Sequence, residues 1–123
     1  MNIIYNKIIP VKGFTAMNLY GNIFAREEYE PLRASVIQHE AIHKAQMLDF
    51  AQWLKKYPTL QVAIGGTIFY LIYLLEWIYR LIFHTKTAYR GISFEVEAYD
   101  NAWRKDYLKY RKPYAMWRKK KNK

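Results

Sequence analysis

From Val62 to Leu75 the chain carries no charged residue, and large apolar side chains continue to Phe83. Nothing else constrains the fold of this 123-residue protein as tightly. About 20 apolar residues are what a membrane-crossing helix needs, and an apolar run of this kind is also how a covered core helix reads. Tyr73, Glu76 and Arg80 interrupt it on one helical face, with Glu76 and Arg80 an i,i+4 pair in the favourable order. The pattern predicts a helix over 60–84. Pro58 closes whatever precedes it, and Gly65-Gly66 lies near its start.

Ahead of this segment, Leu32, Val36, Ile42, Ala45, Leu48 and Leu54 repeat at helical spacing, predicting a helix over 32–57. Glu27, Glu28, Glu30 and Pro31 supply its N-terminal signal. Earlier still, Ile3–Ile9 is rich in β-branched residues, Lys12-Gly13 can turn, and Phe14–Phe24 alternates with Gly21 as a bulge. These features predict a β-hairpin within 1–26. Beyond the apolar helix, a linker over 85–92 leads to a helix over 93–112 that Pro113 ends. The expected fold is α+β and mostly helical: a short β-hairpin, an antiparallel helix hairpin and a third long helix. The length suits one domain with a modest core, over 1–112, followed by a basic tail over 113–123.

Composition removes several function classes. No Cys is present, which excludes disulfide scaffolds, cysteine zinc sites and thiol nucleophiles. With 52% hydrophobic residues the chain is not disordered, despite a formal charge of +10. That charge is concentrated: from Arg104 onward ten Lys and Arg face one acid, Asp106. A basic end beside an apolar helix suits an anionic membrane surface, or simply keeps the protein soluble. No nucleic-acid recognition module accompanies it, so a nucleic-acid partner is not expected. Asn2, Asn6, Lys7, Pro10 and Lys12 break up the first residues, so no secretory signal is read and a cytoplasmic protein, free or membrane-associated, is expected.

His39-Glu40-Ala41-Ile42-His43 is an H-E-x-x-H motif inside the first long helix. Two His at i and i+4 lie about 40° apart around the axis, so both imidazoles reach one metal ion, with zinc the natural occupant. Glu40 sits beside them as the residue to take a proton from activated water. A catalytic zinc needs a third protein ligand and an open position. Asp49 has the spacing of an extended motif, but Gln46 stands where that motif needs a Gly to end the helix, so Asp49 is set aside. His84 better suits the C-terminal end of the apolar helix. Glu95 and Glu97 remain, in Phe94-Glu95-Val96-Glu97-Ala98-Tyr99.

H-E-x-x-H followed on a later helix by E-x-x-A resembles the gluzincin-type zinc metallopeptidases. The resemblance implies that Glu95 is the third ligand beside His39 and His43, with Glu97 its rival two residues away. It also implies Ala98 as the small residue of the pattern. Tyr99 stands where these enzymes often carry an Asp that orients a ligating His, so orientation must come from elsewhere, with Asp100 and Asp49 as candidates. Lys12-Gly13-Phe14, the motif helix and Tyr89-Arg90 ahead of Phe94-Glu95 also look like a group of short uncharacterised bacterial H-E-x-x-H proteins.

A chain reversal within Pro58–Gly66 would return the apolar helix to the level of His43 and deliver Glu95 to the two His. A straight membrane span would separate them. The apolar helix is therefore expected to pack on its partner, with its outer face on a bilayer surface or a second copy of the chain. The implied function is a small zinc metallopeptidase acting on a peptide or protein substrate. Glu40 would be its general base, a strand within Thr15–Phe24 would hold extended peptide, and Tyr89, Arg90 or Tyr99 would be the oxyanion donor. The alternative is a non-enzymatic membrane-associated protein with a structural or vestigial metal site.

Overall fold

The computed structural model describes residues 2–118. It is α+β and mostly helical, as expected: a three-stranded sheet comes first and helices follow. The strands are β1 (Ile3–Asn6), β2 (Ala16–Leu19) and β3 (Asn22–Arg26), in spatial order β1-β3-β2. β2 and β3 form an antiparallel hairpin pairing Leu19 with Asn22, and β1 adds parallel to β3, pairing Ile3 with Ile23. Phe14–Phe24 is thus not one bulged strand. Tyr20 and Gly21 both take positive φ, 48° and 87°, the geometry of a two-residue hairpin turn. β1 stops at Asn6 because the Asn6 Oδ1 accepts the amides of Ile8 and Ile9 at 2.8 and 2.6 Å, turning the chain out of the sheet.

Helix α1 covers Ala34–Asp49 and is shorter than the 32–57 read from periodicity. It starts late because Leu32 is held in the sheet's core with Ile23 and Ala25, its amide bonded to the Tyr5 hydroxyl at 3.2 Å. Its early end follows from side chains that satisfy the terminal carbonyls. Gln52 Nε2 donates to Asp49 O and Gln61 Nε2 to Leu48 O, at 3.2 and 3.4 Å. Ala51 leaves the helical region at φ −143°. The reversal therefore lies between the helices, ahead of Pro58, and not within Pro58–Gly66.

Helix α2 runs Pro58–Phe83 with Gly65 and Gly66 inside it, where it crosses α1. A Cβ on Gly65 would stand 2.1 Å from the backbone oxygen of Met47, and one on Gly66 would stand 2.7 Å from the Tyr20 ring. Replacing Gly65 by Ala forces two helix backbones apart, and we expect it to lower unfolding free energy by about 3 kcal/mol, read from urea denaturation. A change below about 0.5 kcal/mol would contradict this packing.

Helix α3 covers Ser93–Asn101 and α4 only Tyr107–Tyr110, so the single helix expected over 93–112 is broken. The break turns the chain so that Arg111 enters the interior. Tyr114 and Trp117 then stack at 5.9 Å and both pack edge-on to Phe50. The packed body thus extends past the boundary expected at 112, and residues 119–123 of the expected basic tail lie outside the described residues.

Candidate metal centre

The buried face of α1 is polar. His39, Glu40, His43 and Gln46 are all buried, alongside Ile42 and Met47. In a chain this small, burying so many polar groups is costly unless each has a partner. The partners come from α3 and α2. Glu76 fixes the start of α3, its carboxylate accepting both the amide and the hydroxyl of Ser93 at 2.6 Å. Glu76 and Arg80 share the inward face as expected, but Glu76 bonds Ser93 while the Arg80 guanidinium reaches Thr87.

Glu95, on the first turn of the helix so anchored, meets both imidazoles. Its Oε1 stands 3.0 Å from His39 Nε2 and 3.2 Å from His43 Nε2. Its Oε2 accepts the Tyr73 hydroxyl at 2.7 Å. One ligand atom from each of His39, His43 and Glu95 lies within 4.8 Å of the others, and among the described residues this trio is the one such group. Zinc bonds of about 2.0–2.1 Å in a tetrahedron require ligand atoms about 3.3 Å apart. The two carboxylate–imidazole distances are close to that spacing, and all three ligand atoms lie within 4.8 Å of one another, so the residues present fit a zinc-sized ion.

Gln46 settles which nitrogen of His43 faces the cluster. Both hydrogens of its Nε2 are taken, by Phe94 O at 2.9 Å and Glu97 Oε1 at 3.0 Å. Its Oε1 therefore accepts from His43 Nδ1 at 2.8 Å, which leaves Nε2 facing Glu95 and free to ligate. The chain of contacts continues inward. Glu97 accepts from Tyr107 and from Arg111, each at 2.6 Å, and Arg111 also donates to both Asp49 oxygens at 3.1 and 2.8 Å. Asp49 closes the network by accepting the Tyr114 amide at 2.9 Å.

Of the candidates from the sequence, Asp100 stands on the exposed side of α3. His39, His43 and Glu95 converge, while Glu97 and Asp49 sit behind them, bound to Arg111. His84 follows the last residue of α2, away from the trio. Tyr99 packs on His39 with ring centres 4.4 Å apart, and the Arg90 guanidinium lies 3.7 Å above the Tyr99 ring. Gln46, Tyr73 and Arg111 were not singled out as site residues, although Tyr73 was legible as part of the polar stripe.

Burial alone would lower the His43 pKa, but hydrogen bonding to Glu95 and its negative charge lift it to about 9. Burial would raise Glu95, and its bonds from His39, His43 and Tyr73 outweigh this and hold it below the usual carboxylate range. Burial holds the Glu40 carboxyl above its ordinary value, against the pull of His43 and His39. A metal ion held by the trio would have to displace the extra proton on His43. If zinc binds there, its apparent affinity is expected to rise about tenfold per pH unit until pH approaches 9, then level off. The metal-free protein should show the opposite trend. Because the His43 pKa is raised and the Glu95 pKa lowered on folding, the contribution of the pair is complete only between about pH 4.5 and 6.5, and it fades as pH rises through about 9. Competition titrations and thermal melts across pH 6–10 read both, and a flat zinc affinity would contradict the protonated pair.

The trio opens onto a cleft of about 490 Å³, with Glu40, Phe69, Tyr70 and Tyr89 among its walls. A second hollow of about 370 Å³ shares Phe14, Ala16, His39, Glu40 and Tyr89, so one groove runs over the H-E pair. Edge strand β2 lines the groove through Ala16, Met17 and Asn18. Asn18 ties this strand to α1, donating to Glu40 O at 2.8 Å, and its Oδ1 accepts the Gly21 amide at 2.9 Å. Compared with known protein families, curated proteins and solved structures, the chain finds no match.

Proposed function

We propose that this protein is a small zinc-dependent peptidase of the kind its H-E-x-x-H and E-x-x-A segments resemble. The observation that carries the proposal is the convergence of His39, His43 and Glu95 within 4.8 Å at the floor of an open groove. A structural zinc site uses four protein ligands and is closed, whereas three ligands beside a substrate-sized cleft suit catalysis. A zinc ion held there would acidify water and polarise a carbonyl.

The remaining chemistry belongs to the chain. Glu40 lines the groove next to the trio and is the carboxylate available to take a proton from water and return it to the leaving amine. Tyr73 holds Glu95 by its second oxygen, and Gln46 holds His43 by its Nδ1, so both ligands are oriented before any metal arrives. The alternation of the β2–β3 ladder, in which Thr15 O accepts the Arg26 amide, turns the backbone groups of Ala16 away from β3. They are free to pair with an extended peptide laid along the groove. Asn18 O, which points the same way, already accepts the Tyr70 hydroxyl at 2.9 Å. Tyr89 borders both halves of the groove, which favours it over Arg90 and Tyr99 as donor to a developing oxyanion.

The test is to incubate the zinc-loaded protein with a peptide pool and count new termini by mass spectrometry. Cleavage should vanish with chelator and return with stoichiometric zinc. Equal cleavage with and without zinc, or no cleavage at full loading, would contradict the peptidase reading.

A further inference from the structure

We infer that the outward face of α2 seats this protein on the surface of an anionic lipid bilayer. The helix is built inside out for a body in water. Its inward stripe holds its polar side chains, with Gln61 against Leu48 O, Tyr73 on Glu95, Glu76 on Ser93 and Arg80 on Thr87. Its outward stripe, at positions spaced for one face, is Leu71, Leu75, Ile78 and Ile82, which are 58, 67, 44 and 66% exposed. Leu74 and Leu81 widen that face on one side and are exposed too. Helices that meet lipid turn polar groups to the protein and apolar ones outward, and water-facing helices do the reverse.

Charge selects the occupant. The chain carries a formal +10, which opposes a second copy of itself and favours anionic headgroups. Cations flank α2 at both ends, Lys55 and Lys56 before it and Lys86 after it, with exposed Trp53 and Tyr57 beside the first pair. Such residues sit at headgroup level.

Packing selects the orientation. Gly65 and Gly66 seat α2 on Met47 and Tyr20, and Glu76 grips Ser93 further along. A span would drag α1 and α3 through the hydrocarbon with their charges, whereas seating in the plane buries only the free face. Phe69, Tyr70 and Tyr73 of the same helix line the groove, which would place the groove about one helix diameter, roughly 10 Å, from the lipid.

The experiment is flotation of the full chain with vesicles of phosphatidylcholine alone and of phosphatidylcholine mixed with phosphatidylglycerol. Metal content plays no part in the readout, so its outcome is independent of the peptidase reading. The protein should float with the mixed vesicles at least about tenfold more than with the neutral ones, and less at high salt. A Leu71→Ser, Leu75→Ser, Ile82→Ser variant alters only exposed positions. It should lose vesicle partitioning about a hundredfold or more while its circular dichroism and melting curve stay those of the parent. Wild type remaining in the aqueous layer with both vesicles would overturn the inference. So would a dimer in lipid-free buffer that the variant converts to monomer while the wild type fails to float.

Discussion

Replacing Glu40 by Gln is expected to leave zinc binding stoichiometric and to lower peptide hydrolysis about a thousandfold. Gln fills the same volume in the same buried position and removes the group that accepts the proton. The ligand trio does not include Glu40, so the zinc dissociation constant should change by less than about threefold. The reading is steady-state hydrolysis of a fluorogenic peptide beside a zinc titration on the same preparation. Undiminished turnover would remove Glu40 from the mechanism, and loss of zinc would make it a ligand or a prop.

A second substitution reaches further into the fold. Arg111→Met should lower unfolding free energy by about 3–5 kcal/mol and the melting temperature by more than about 10 °C. Among the described residues, Arg111 is the one cation between two buried carboxylates, Asp49 and Glu97, with its side chain 5% exposed. Met keeps much of the volume and none of the charge, leaving both acids without their counter-ion. Zinc affinity should also fall about tenfold, since Glu97 holds Gln46 and Gln46 holds His43. Thermal melts and urea denaturation measure the first effect. A destabilisation under about 1 kcal/mol would contradict the network.

How much of this was legible beforehand follows from how local each signal is. The motif helix, the apolar helix and the approach of Glu95 rest on spacing within one segment or on the simple return of an antiparallel pair, and all three are present in the structure. Helix ends were misread where a distant side chain decides them. Gln61 caps the Leu48 carbonyl from the next helix, and Gly65 lets that helix approach closely at Met47, just before α1 ends. Gln46 looked like an ordinary helix former. Its part in the site exists only because Phe94 and Glu97 arrive from α3 to take both of its amide hydrogens. Tyr99 stands where an orienting Asp was sought, and that work falls instead to Gln46 for His43 and to Tyr73 for Glu95. Arg111 read as part of a basic end because charge counting cannot see that Asp49 and Glu97 wait inside for it.

The most direct test of the whole account is zinc content by mass spectrometry of the purified wild type, His39→Ala and Glu95→Gln, each dialysed against a weak chelator. The wild type should retain about one zinc per chain, His39→Ala none, and Glu95→Gln should bind at least about a hundredfold more weakly. A wild type that holds no zinc under these conditions, or a Glu95→Gln variant that holds it as tightly as the parent, would contradict the three-ligand site on which the proposed chemistry stands.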